Sequence, residues 1–174
     1  MLHQTAIQLL RHEALTATQP QVWADLGCGT GTFTKALASL IPAGSIIHAV
    51  DQDGRSLKQI PGQFEEVQIQ TRESDFAKAA FTFPPVNGML MANALHYVKQ
   101  KEAFLERVNE GLLPGGLFLL VEYNTTKANP WVPYPIDKKQ AALLLTSLHF
   151  HSIQKMHEIP SRFGGTIYAL SEKK

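Results

Sequence analysis

The chain has 174 residues, with 16 Lys plus Arg against 15 Asp plus Glu and a formal net charge of +1. That length suits a single domain over residues 1–174, which buries enough apolar surface to fold without disulfides or metals. The near balance of charge leaves no footprint for nucleic acid, no apolar run approaches the ~20 residues of a membrane span, and the lone cysteine, Cys28, excludes an internal disulfide.

The N-terminus has neither the apolar core nor the cleavage site of a secretory leader, so a cytoplasmic protein is expected. Residues 2–15 place Leu2, Ala6, Leu9, Leu10 and Ala14 at helical spacing and predict an amphipathic helix within residues 1–18. Packed in cis, that helix suits a monomer; packed across, a homodimer. Val22–Leu26 reads as a first strand, and Asp25-Leu26-Gly27-Cys28-Gly29-Thr30-Gly31 follows as an acid and three alternating glycines. A helix is predicted over residues 32–41, stopped by Pro42 and Gly44. Glycine lets the backbone bend sharply and lie against a ligand, and the N–H groups of the next helix face the same space. This is a nucleotide-type loop.

Residues 45–50 form a second strand, apolar enough to be covered on both faces, and Asp51-Gln52 ends it. An acid about 20 residues past such a loop accepts from ribose hydroxyls, whatever the rest of the nucleotide; the competing role for Asp51 is a helix cap. A short helix is predicted over residues 55–60, then strands over 67–71 and 86–93, the first followed by Asp75-Phe76 and the second closed by Asn93-Ala94. A helix over 100–112 turns Phe104, Leu105, Val108 and Leu112 inward; Pro114-Gly115-Gly116 reads as a turn, and residues 117–122 as a buried fifth strand. Residues 124–136 carry Pro130, Pro133 and Pro135 and read as a loop, a candidate lid or shaped wall. Asp137 is placed to cap a helix with Ala141, Leu144, Leu145 and Leu148 on one stripe. Residues 151–159 and 166–170 read as a closing strand pair, antiparallel because a parallel pair needs a long crossover.

The run Asp25 to Thr34, DLGCGTGTFT, resembles the first motif of class I S-adenosylmethionine-dependent methyltransferases. The dinucleotide fingerprint would put its third glycine at Thr32, and no Gly-Lys-Ser/Thr follows for a phosphate loop. The resemblance implies an α/β fold: a doubly wound, seven-stranded, mostly parallel Rossmann-like sheet with a C-terminal antiparallel hairpin. It implies S-adenosylmethionine as cofactor, its positive part suited by Asp25 and its amino-acid portion approached by Gly27, Cys28, Gly29 and Gly31. Asp51 and Gln52 are then expected at the adenosine ribose, Asp75 and Phe76 at the adenine, and Asn93-Ala94 at the methionine end. Cys28 has no base nearby and reads as a small loop residue. The prolines of the family's adenine methylases are missing after Asn93.

His96 has a side chain suited to general-base work, with a partnered structural histidine as the alternative. Tyr97, Tyr123, Trp131 and Tyr134 are candidate walls of an acceptor pocket, although each aromatic could anchor its segment on the core instead. Arg162 is a candidate for an anionic substrate group or a solvated side chain. The histidines show no metal-ligand spacing, so no metal site is expected. The expected activity is methyl transfer to a small molecule. RNA or protein methylation, cofactor binding without turnover and NAD-dependent oxidoreduction are the alternatives.

Overall fold

Eight strands form one sheet in the computed structural model, which describes all residues from Met1 to Lys174; the strand order is β3-β4-β2-β1-β5-β6-β8-β7. The elements are α1 (His3–Leu10), β1 (Val22–Leu26), α2 (Thr32–Ala38), β2 (Ile46–Asp51), α3 (Gly54–Leu57), β3 (Gln63–Phe64), β4 (Val67–Glu73), β5 (Val86–Ala92), α4 (Lys101–Gly111), β6 (Leu112–Tyr123), α5 (Lys138–Ser147), β7 (His151–Pro160) and β8 (Thr166–Lys173). Strands β4, β2, β1, β5 and β6 run parallel. Strand β8 inserts between β6 and β7, antiparallel to both.

Alternation along the strands sorts the core onto two faces. Trp23, Ile47, Leu119 and Ala169 pack against Ala6, Leu9 and Leu10 of α1 and Phe33 and Leu37 of α2. Ala24, Met89, Phe118 and Tyr168 meet Phe104 and Val108 of α4 and Ala141 and Leu145 of α5 on the other face. Both sides of the central strands are therefore dry, which explains their near-continuous apolar sequence. A Cβ on Gly88 would overlap the Trp23 indole, so the glycine gives the largest buried side chain its place between β1 and β5.

The doubly wound sheet and its closing hairpin match the expectation, with corrections at several elements. The sheet has eight strands rather than seven, because Gln63-Phe64 folds back on Phe64↔Val67 through Glu65 at φ 50. The N-terminal helix ends at Leu10 instead of continuing to residue 15. His12 is extended there and its Nδ1 accepts the Ala14 N–H, starting a separate 3-10 turn at Glu13–Leu15. This local side-chain bond competes with helix continuation. Leu2 is 78% exposed, outside the buried stripe. Pro114-Gly115-Gly116 lies within β6 as an irregular start, where pairing with β5 shifts register between Val86 and Gly88. Asp137 does cap α5, in a reciprocal box with Gln140.

Candidate functional site

The parallel strands all end at one edge of the sheet, and the segments leaving β1, β2, β4 and β5 meet there. Gly27 has φ +80, and its N–H donates to the Val50 carbonyl at 2.8 Å. A Cβ at Gly27 would lie 2.6 Å from the Ala94 Cβ and 3.0 Å from the Phe76 ring. Glycine therefore keeps open a cleft that a side chain would fill. The Gly29 N–H reaches Asp51 Oδ2, and Asp51 Oδ1 accepts the Asp53 N–H. Asp53, not Asp51, caps α3, so the Asp51 carboxylate keeps acceptor capacity toward the cleft.

The cleft wall is made by Gly27, Asp51, Gln52, Asp75, Phe76 and Asn93, with Ala94 and Tyr97 beyond. Its one basic side chain, Lys78, pairs with Asp75 Oδ2 at 2.9 Å. That hydrogen bond holds the Asp75 carboxyl below the usual carboxylate range. Phe76 packs edge-on to Phe104, and Arg107 ties the segment down by donating to the carbonyls of Phe76, Ala77 and Ala79. Two acids and an aromatic face suit a cationic nucleoside better than a pyrophosphate, which would meet two like charges.

Four of the sequence-derived loop residues lie off this wall. Asp25 is buried beneath the loop, where Thr34 Oγ1 donates to its Oδ2 at 2.6 Å and its Oδ1 has no partner. Burial raises its pKa to about 7, against the lowering effect of the Thr34 bond. Cys28 turns into a small core with Ala49, Leu57 and Ile60, and burial pushes its thiol pKa up. Gly31 caps α2 in the left-handed region, against Ile60. Gly29 is fixed by Asp51 and has open space at its Cα.

Asn93 stands at the junction. It leaves β5 at φ 54, unusual for a residue with a side chain, and its buried Oδ1 makes no hydrogen bond. It borders the cleft and also a second cavity of about 560 Å³ that His96, Tyr97, Tyr123 and Trp131 help to line. His96 is 2% exposed. Its Nδ1 lies 2.8 Å from Glu122 Oε2 and its backbone N–H donates to Glu122 Oε1 at 3.1 Å. The Tyr123 N–H also donates to Glu122 Oε2. With a carboxylate at Nδ1 to accept a hydrogen bond, the Nδ1–H tautomer is favoured and the lone pair lies on Nε2, which makes no hydrogen bond within the protein; His96 is part of the cavity wall.

Glu122, Asn124, Phe163 and Thr166 were not singled out by the sequence. The available signal for Glu122 was a charge closing an apolar strand, which demands a partner once buried. Tyr134 and Arg162 stand apart from this cavity. The Tyr134 ring sits over Lys101, whose Nζ donates to the Tyr134 carbonyl at 2.7 Å. Arg162 stacks on Phe163 and borders an adjoining cavity that also touches Asn93 and Tyr123. Trp131 does not anchor the loop on the core; it is 79% exposed. The loop is held by other groups: Asn129 pairs with Val132, the Tyr134 N–H reaches the His96 carbonyl, and Val132 and Ile136 are buried.

Residues 24–118, more than half of the chain, match the family model of the methyltransferase domain. Malonyl-[acyl-carrier protein] O-methyltransferase of Chlorobium luteolum is 25% identical over 142 residues, covering 80% of this chain and 50% of that protein. The chain thus spans about half the length of that curated relative. The fold is similar to 1,6-didemethyltoxoflavin-N1-methyltransferase of Burkholderia thailandensis, solved with 1,6-didemethyltoxoflavin and S-adenosylhomocysteine (TM-score 0.77, 20% identity, 99% of this chain and 77% of that one). Human N-acetylserotonin methyltransferase, solved with S-adenosylmethionine, gives a TM-score of 0.65 at 26% identity over 88% of this chain and 47% of that one.

Proposed function

The chain belongs to the methyltransferase-domain family, and we propose that it transfers a methyl group from S-adenosylmethionine to a small-molecule acceptor. The carrying observation is the meeting, at Asn93, of an acidic nucleoside-sized cleft with an aromatic cavity that contains His96. No helix is long and apolar enough to cross a membrane.

The residues present fit the cofactor. The space over Gly27 admits an amino-acid moiety that a Cβ would exclude, and the orphaned Asn93 Oδ1 offers a buried acceptor for an ammonium. Asp51 holds the ribose hydroxyls, with Gln52 beside it, and Asp75 with Phe76 holds the base. Asp25 acts from beneath the loop, through Thr34 and the start of α2, rather than by touching the ligand. When bound, S-adenosylmethionine supplies a methyl carbon on a sulfonium that departs as a neutral thioether.

The protein's own work is to position, to exclude water and to take one proton. Holding two reactants in line can contribute ~7–11 kcal/mol of the barrier. Tyr97 and Tyr123 flank His96, with ring centroids at 4.3 and 6.0 Å. His96 Nε2 accepts the acceptor's proton, while Glu122 fixes the tautomer and steadies the imidazolium that results. Thermal melting with S-adenosylhomocysteine and, separately, with NAD tests the reading. At about 100 times its dissociation constant the first ligand should add ~2.7 kcal/mol and NAD nothing; stabilisation by NAD alone overturns it.

A further inference from the structure

We infer that the acceptor is a neutral, flat aromatic ring system of about two fused rings, presenting an O–H or ring N–H to His96. The inference rests on the methyl-transfer reading and specifies its second substrate. Four aromatic side chains converge on the cavity beyond Asn93 from four different segments: Tyr97 after β5, Tyr123 ending β6, Trp131 from the loop and Phe163 from the β7–β8 link. The volume of about 560 Å³ falls in the range of small-molecule sites. Ring faces of this kind prefer a flat π-surface over a branched aliphatic one.

The polar groups on the wall are uncharged. They are amides and hydroxyls, chiefly Asn124, Thr125, Asn129 and Thr166, and no Lys, Arg, Asp or Glu lines the cavity. Three nearby cations make other contacts. Lys138 donates to Glu158 at 2.6 Å, Lys101 donates to the carbonyls of Val98 and Tyr134, and the Arg162 guanidinium lies 4.9 Å from the Phe163 ring centre, bordering the adjoining cavity. A carboxylate or phosphate placed here would lose water and gain no charged partner from the wall, which is expensive. The amides and hydroxyls instead match the edge of a neutral heterocycle.

Two of the four rings project from turns. Trp131 and Phe163 are 79% and 74% exposed. Asn129 Oδ1 accepts the N–H groups of Trp131 and Val132, and Ser161 Oγ accepts the Phe163 N–H. Turns hold their backbones while much of each ring stays open to solvent, one face of Phe163 being stacked by Arg162, as at a binding surface. On binding, the acceptor's proton passes to His96 Nε2, and the lone pair left on its oxygen or nitrogen takes the methyl carbon.

Calorimetric titration of the full chain, with and without S-adenosylhomocysteine, tests this. The probes are hydroxyquinolines and hydroxyindoles, the same rings bearing a carboxylate, and glutarate. At least one neutral ring is expected to bind tenfold or more tightly than its carboxylate counterpart, with glutarate silent. Phe163→Ala and Trp131→Ala should each weaken it about tenfold and leave the affinity for S-adenosylhomocysteine unchanged. Carboxylates binding as tightly as neutral rings, or no neutral ring binding in either titration, overturns the inference. Loss of S-adenosylhomocysteine binding alone would instead count against the methyl-transfer reading, because the titration without it still reports on the cavity.

Discussion

The Gly29 N–H donates to Asp51 Oδ2 at 2.8 Å, so the acid that ends β2 also fixes the bend of the glycine loop after β1. One carboxylate thus shapes the cleft and faces the ligand. Asp51→Ala should therefore raise the dissociation constant for S-adenosylhomocysteine about 10- to 100-fold, from hydrogen bonds to a charged group worth ~1.5–3 kcal/mol. Asp51→Asn, which keeps one acceptor oxygen, should fall between the two. Isothermal calorimetry reads both, and an unchanged affinity for the alanine variant would remove Asp51 from the site.

Gly27→Ala puts a methyl 2.6 Å from the Ala94 Cβ in a backbone region that costs side chains roughly 1 kcal/mol or more. The expected outcome is lower stability in urea together with loss of cofactor binding by the folded fraction. Gly29→Ala keeps the positive φ but meets no atom within 4 Å. It should lose stability without closing the cleft. The contrast between these two glycines separates strain from occlusion.

His96→Ala should lower turnover at saturating cofactor by about 10²- to 10⁴-fold, the usual worth of a positioned base. Glu122→Gln should lower turnover less, because an amide oxygen can still accept from Nδ1–H but no longer offsets the charge of the imidazolium. Neither change should alter S-adenosylhomocysteine affinity by more than a few-fold. An unaltered rate for His96→Ala would make this histidine a structural one.

Glu172 lies on β8 with both carboxylate oxygens buried and unpartnered, and burial raises its pKa well above the ordinary value. The folded state therefore holds this proton more tightly than the unfolded chain does. Its stabilising contribution is complete below the unfolded pKa of 4.5 and is lost as pH rises toward the folded pKa. Asp25, raised to about 7, adds a loss of the same sign between pH ~4 and 7. Glu172→Gln should accordingly melt higher than wild type at pH 8, because the amide neither buries a charge nor has to bind a proton on folding. The gain should vanish near pH 4, as melting scans across pH would show.

The glycine loop and the acids following β2 and β4 were legible because each depends on local chemistry: a strand end, a bend, a charge. So were the closing hairpin, whose short link dictates its direction, and the Asp137 box at α5. The partner of His96 was not, because Glu122 is 26 residues away and reaches it only when β6 lies beside β5. Phe163 and Thr166 join the aromatic cavity for the same kind of reason, through a hairpin folded back across β6. Tyr134 and Trp131 looked equivalent in sequence, and only the fold of the loop that carries them decides which one borders the cavity. Strand β3 escaped notice because a Glu65-Glu66 bend carries none of the Asn-Gly or Asp-Gly signals of a tight hairpin.

A crystal structure with S-adenosylhomocysteine tests the central claim most directly. The account predicts adenine between Asp75 and Phe76, ribose hydroxyls on Asp51, the amino-acid portion over Gly27 and the sulfur beside Asn93, pointing toward His96. Density for the ligand anywhere else, or none at saturating concentration, would contradict it.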